Sequence, residues 1–127
     1  MFEVTVEETF AAGHALRGYR GKCENPHGHN YKVRVVLRGA ELDHIGLLYD
    51  FKDVKQIIHA TVDQLDHKFM NDIPPFDAIN PSAENLAKYF FDQSERLLAE
   101  RRPANGVRVQ EVTVWETDTT TATYRRA

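Results

Sequence analysis

The stretch Cys23-Glu-Asn-Pro-His27-Gly-His29-Asn-Tyr31-Lys-Val33-Arg-Val35-Val-Leu37 joins a cluster of reactive side chains to a run of β-formers. Tyr31, Val33, Val35 and Leu37 share one parity, while Lys32, Arg34 and Arg38 take the other. A strand is therefore expected from about His29 to Ala40. A strand puts residues i and i+2 on one face with about 6.5–7 Å between their Cα atoms. His27 and His29 have the parity of Tyr31 and send both imidazoles toward one point. A metal ion with Zn–N bonds of about 2.0–2.1 Å fits between them.

Upstream, Phe2, Val4, Val6 and Phe10 alternate with Glu3, Thr5, Glu7 and Thr9, which predicts a half-buried antiparallel strand over Phe2–Ala12. His14 shares the parity of Phe10 and Ala12, although Gly13 leaves the local geometry open. The loop Leu16–Pro26 is long for a hairpin connection and carries Arg17, Arg20 and Lys22. Downstream, Asp50 is a helix cap, and Val54, Ile57, Ile58, Thr61, Val62 and Leu65 form an apolar stripe at helical spacing. That helix ends by Asp72, because Pro74 and Pro75 cannot continue it. Ser82 caps a second helix with Leu86, Ala87, Phe90, Phe91, Leu97 and Leu98 on one side, closed by Pro103. Val107 and Val109 are followed by Val112, Val114 and Glu116 on the opposite parity, so a bulge is expected near Gln110–Glu111. Thr119–Arg126 makes a last short strand.

The order ββ, αα, ββ points to an α+β domain spanning residues 1–127, an antiparallel sheet with two helices on one face. Its open face and edges call for a partner that continues the sheet. Val36 and Trp115, on the face opposite the main apolar parity, support an oligomer.

With 127 residues, 28% charged and 42% hydrophobic, the chain has an ordinary globular composition. A net charge of −3 argues against bulk nucleic-acid or anionic-membrane binding. One cysteine makes no internal disulfide, the N-terminus reads as a strand rather than a signal peptide, and no apolar run reaches transmembrane length. A cytoplasmic protein is expected.

Several side chains invite chemistry and admit plainer roles. His44 and His59 read as surface residues. His14, His27 and His29 together match a catalytic zinc pattern of three protein ligands and an open position. Gly28 would allow a tight turn or a close approach to a ligand. Cys23 is a fourth ligand, an inert small hydrophobe, or a thiol whose pKa nearby cations lower. Those cations equally suit phosphates or a solvated loop. Asp66 and His67 are neighbours that do not face each other on a helix. They form an acid–base unit only if the helix unwinds there; otherwise His67 is a helix-end histidine. Glu116 is a carboxylate on an apolar strand face. It suits a ligand edge with two N–H donors or a salt bridge at the strand's end.

Four stretches carry a family resemblance: Phe10-Ala-Ala-Gly-His14; Cys23-Glu-Asn-Pro-His27-Gly-His29; Leu65-Asp66-His67; and Pro81-Ser-Ala-Glu84-Asn85 with Trp115-Glu116-Thr117. In combination and order they resemble the 6-pyruvoyl-tetrahydropterin synthase family. Three residues between the cysteine and His-Gly-His resemble its 6-carboxy-tetrahydropterin synthase branch, which serves queuosine biosynthesis. The resemblance implies a T-fold that assembles into a barrel, commonly a homohexamer of two stacked trimers with sites between subunits. It implies zinc held by His14, His27 and His29, an acid–base set of Cys23, Asp66 and His67, and a pterin anchor at Glu116. The implied reaction converts 7,8-dihydroneopterin triphosphate to 6-carboxy-5,6,7,8-tetrahydropterin with release of acetaldehyde and triphosphate. Arg17, Arg20 and Lys22 are candidates for the triphosphate.

Overall fold

Alternation at both ends of the chain produces a four-stranded antiparallel sheet in the computed structural model, which describes residues 1–127. The elements are β1 (Phe2–His14), β2 (His27–Gly39), α1 (Phe51–Leu65), α2 (Ala83–Glu100), β3 (Arg108–Thr117) and β4 (Thr120–Arg125), and the strands lie in chain order. β1 runs two residues past its expected end, and β2 begins two residues before its expected start. Pairing of His14 with His27 and of Ala12 with His29 closes the ladder over Gly13 and Gly28, which face each other in extended backbone. Gly28 makes no tight turn.

Both helix starts follow from their caps. The Asp50 side chain accepts from Lys52 N–H, and Ser82 accepts from Asn85 N–H. α1 ends at Leu65, ahead of the prolines. The apolar stripes of both helices cover one sheet face. Val54, Ile58, Leu65, Leu86 and Phe90 meet Tyr31, Val33, Val35, Val112 and Val114 in one core. Phe10 stacks on Tyr31 at 5.0 Å between ring centroids and meets Phe90 at 5.6 Å.

Gln110 is the bulged residue. Val36 pairs with Glu111 and Leu37 with Val109, so the parity of β3 switches at Gln110, and Val107, Val109, Val112 and Val114 are all buried. A second irregularity, between Trp115 and Thr117, leaves Glu116 without a partner on β4.

Val36 and Trp115 lie on the sheet face away from the helices. Val36 is 6% exposed in the single chain, set between Thr5 and Glu111. Trp115 lies under Lys32 and Arg34, whose cations sit 4.2 and 4.7 Å from the ring. The edge of β1 is partly occupied. Gly13 N–H donates to Lys68 O at 2.9 Å, His67 N–H donates to Ala11 O at 2.6 Å, and Gly13 and Phe69 form a parallel bridge. A Cβ on Gly13 would stand 3.4 Å from the Phe69 ring, so glycine suits this close approach.

Candidate metal centre and acid–base pair

Strand register brings the three histidines together. His14 ends β1, His27 opens β2 opposite it, and His29 follows on the same face. One ring nitrogen from each lies within 4.8 Å of the others. Hydrogen bonds fix two of the tautomers. His14 Nδ1 lies 2.7 Å from Pro81 O, and His27 Nδ1 lies 2.7 Å from Asn25 O. A carbonyl oxygen only accepts, so both Nδ1 atoms carry the proton, and in the neutral rings both Nε2 atoms present lone pairs. Those two Nε2 atoms stand 2.9 Å apart. Facing lone pairs at that distance repel unless a cation lies between them. His29 Nε2 is buried and has no hydrogen-bond partner. Donation of the remote nitrogen to a backbone carbonyl is also how metal-ligating histidines are held. The set fits a metal ion.

Burial favours the uncharged form of two of the three rings. Burial holds the pKa values of His14 and His29 below the ordinary histidine value, with His27 adding to the effect and Glu116 opposing it. Neutral imidazole is the coordinating species. Tyr31, fully buried, places its hydroxyl 3.1 Å from His14 Nδ1, and burial raises its pKa far above the ordinary tyrosine value. The sequence had suggested only a core role for it.

Asp66 and His67 do face each other. α1 stops at Leu65, Asp66 is extended, and His67 takes a left-handed φ of 59°. This geometry brings His67 Nδ1 to 3.0 Å from Asp66 Oδ2, while Asp66 Oδ1 accepts from Ala11 N–H at 2.9 Å. The Ala11 N–H bond and then His67 hold the Asp66 carboxyl below the usual carboxylate range. This contact orients His67 with Nδ1 toward Asp66, leaving Nε2 on a side chain that is 81% exposed. His29 and His67 line one cleft of about 460 Å³ at the Gly13–Gly28 end of the sheet.

Cys23 lies in a short 3₁₀ turn, Lys22–Glu24, and is half-buried. It does not join the histidine cluster, which speaks against its reading as a fourth ligand. Glu116, re-aimed by its irregularity, points Oε1 at the histidines, 3.2 Å from His14 Nε2 and 3.7 Å from His29 Nε2. Arg17 is committed elsewhere. Its guanidinium donates to Phe76 O at 2.7 Å and to Asn71 O and Ile79 O at 3.3 Å. Of the loop cations expected near a triphosphate, only Arg20 and Lys22 have no such bonds.

The chain resembles known proteins over nearly its whole length. Residues 3–127 match the family described as 6-pyruvoyl tetrahydropterin synthase. A 6-pyruvoyl tetrahydrobiopterin synthase of Poecilia reticulata is 34% identical over 136 residues, covering 96% of this chain and 88% of its own. A 6-carboxy-5,6,7,8-tetrahydropterin synthase of Aquifex aeolicus is 30% identical over 123 residues, covering 82% and 76%. The solved 6-pyruvoyl tetrahydropterin synthase of Caenorhabditis elegans superposes with a TM-score of 0.82 at 31% identity, covering 100% of this chain and 98% of that one.

Proposed function

Because this chain belongs to the 6-pyruvoyl tetrahydropterin synthase family, we propose that it is a zinc-dependent lyase making 6-carboxy-5,6,7,8-tetrahydropterin from 7,8-dihydroneopterin triphosphate. Acetaldehyde and triphosphate leave, and the product feeds queuosine biosynthesis. The observation that carries this proposal is the cluster of His14, His27 and His29, three imidazole donors, with the Asp66–His67 contact at the same end of the sheet.

Zinc held by these three histidines would supply Lewis acidity toward the side-chain oxygens of the pterin. The protein's own groups do the rest. Glu116, with its Oε1 turned away from the histidines, would offer two oxygens to the 2-amino and ring N–H groups of the pterin, a bidentate match that orients the ring. The Cys23 thiolate removes a side-chain proton, and elimination of triphosphate follows. His67 accepts and returns protons through Nε2, because the ionised Asp66 keeps the ring's other proton on Nδ1. These steps leave a side chain with two adjacent carbonyls. Addition of one water and cleavage of the C–C bond between them yields a carboxylate on the ring and acetaldehyde, which balances the atoms.

The three residues between Cys23 and His27, Glu24-Asn25-Pro26, favour the carboxy product. A pyruvoyl product, which stops after triphosphate elimination, is the second reading, and relatives of that name favour it. In the proposed assembly, a cytoplasmic homohexamer of single T-fold domains, Cys23 of one subunit meets Asp66 and His67 of another. Product analysis with dihydroneopterin triphosphate tests the proposal. Acetaldehyde with a carboxylated pterin supports it. A pyruvoyl pterin moves the protein to the sister activity.

A further inference from the structure

The chain leaves the sheet after His14, yet the next three residues keep a strand-like alternation of hydrogen bonds. Ala15 N–H donates to Asn71 Oδ1 at 2.9 Å, and Ala15 O accepts from Asn71 Nδ2 at 2.8 Å. Two residues on, Arg17 N–H donates to Asn80 Oδ1 at 2.9 Å, and Arg17 O accepts from Asn80 Nδ2 at 2.9 Å. Each asparagine amide thus takes the place of a neighbouring strand. Between them, Leu16 N–H points the other way and donates to Cys23 O at 2.8 Å. The Arg17 guanidinium ties Asn71 O, Phe76 O and Ile79 O together. Asn80 O in turn accepts from Asn85 Nδ2 at 2.8 Å, at the start of α2.

The segment Ala15–Arg17 is therefore a hub. On one side lies the 71–81 connection, which ends at Pro81, the carbonyl partner of His14 Nδ1. On the other lies the turn that carries Cys23. Met70 and Phe76 anchor the connection in the core, and its links to Ala15–Arg17 are polar. They come from two amides and one guanidinium in a largely exposed stretch. Pro81 O is the outer partner of His14 Nδ1, and such partners orient a metal ligand.

We propose that Asn71, Asn80 and Arg17 are positioning residues that hold His14 against Pro81 O and fix the Cys23 turn relative to the metal centre. Arg17 thereby acts as an internal brace rather than as a phosphate contact. This inference rests on the metal-site proposal above.

The test uses Asn80→Asp, which keeps the acceptor toward Arg17 N–H but sets a second acceptor against Arg17 O. It is paired with Arg17→Lys, which keeps the charge but cannot span three carbonyls. Zinc affinity of parent and variants is measured by chelator competition, with far-UV circular dichroism of the metal-free proteins alongside. Loss of an outer partner of a metal ligand typically costs about 10–100-fold in affinity. The expected result is a loss in that range for both variants while the metal-free spectra stay those of the parent. Where Asn80→Asp does not fold, Arg17→Lys decides. Variants that bind zinc as tightly as the parent overturn the positioning role and leave the metal site standing. A parent that binds no zinc overturns the metal site itself.

Discussion

Replacing Asp66 by asparagine changes a charge and one acceptor while keeping the side chain's shape. Asp66 Oδ1 accepts from Ala11 N–H at 2.9 Å, and Oδ2 lies 3.0 Å from His67 Nδ1. In Asp66→Asn the amide oxygen keeps the Ala11 bond, so the 66–69 segment stays on the edge of β1. The amide nitrogen then faces His67 Nδ1. A donor there requires Nδ1 to accept, and the proton of the neutral ring moves to Nε2. The exposed nitrogen, the one proposed to take a proton from substrate, loses its lone pair. A positioned acid or base contributes about 10²–10⁴-fold to a rate, so kcat should fall within that range. The histidine cluster includes neither Asp66 nor His67, so zinc content should not change. Steady-state turnover of dihydroneopterin triphosphate at saturation, with zinc quantified on the same samples, gives both numbers. A variant that keeps its zinc and turns over like the parent would refute the acid–base assignment.

Cys23→Ala should retain zinc at the parent's stoichiometry and lose turnover; loss of zinc would instead make the thiol a ligand. Glu95 accepts from Val109 N–H at 2.7 Å and from Arg108 at 3.1 Å and also pairs with Arg126. Burial pushes its carboxyl up, but Arg126, Val109 N–H and Arg108 outweigh it and hold the folded pKa below 4.5. A depressed carboxylate stabilises the fold above its unfolded pKa and stops doing so as pH falls through the folded value. Glu95→Gln should therefore cost about 1 kcal/mol at neutral pH, and urea midpoints of parent and variant should converge as pH falls through the folded value; a constant gap at all pH values would exclude the charge as cause. Phe90→Ala, at a fully buried position against Phe10, should cost about 3–5 kcal/mol in urea unfolding, and a near-neutral result would show that the layer between α2 and β1 is not close-packed.

Parity and caps made most of the fold legible. The switch from Val109 to Val112 announced the Gln110 bulge, and Asp50 and Ser82 started their helices as short polar caps do. The three histidines were visible because a period of two is fixed by strand geometry. Tertiary contacts set what local periodicity could not show. Asp66 and His67 meet because two hydrogen bonds to Ala11, 55 and 56 residues away, hold the chain out of helical geometry. Arg17 looked like a free cation in a basic loop, since nothing nearby in sequence hints at the carbonyls of Asn71, Phe76 and Ile79. The Asn-Pro-Ser stretch signalled a helix start, and its second role, presenting Pro81 O to His14, exists only once β1 is in place. Glu116 had the parity of a buried residue, but the irregularity after Trp115 gives it no strand partner and turns it to the histidines.

The most direct measurement is the product mixture formed by zinc-loaded protein from 7,8-dihydroneopterin triphosphate, with acetaldehyde trapped and the pterin identified by mass. Equal amounts of acetaldehyde, triphosphate and 6-carboxy-5,6,7,8-tetrahydropterin are the expected result. Triphosphate release with a pyruvoyl pterin and no acetaldehyde would contradict the carboxy assignment, and no turnover by the zinc-loaded protein would contradict the catalytic role of the site.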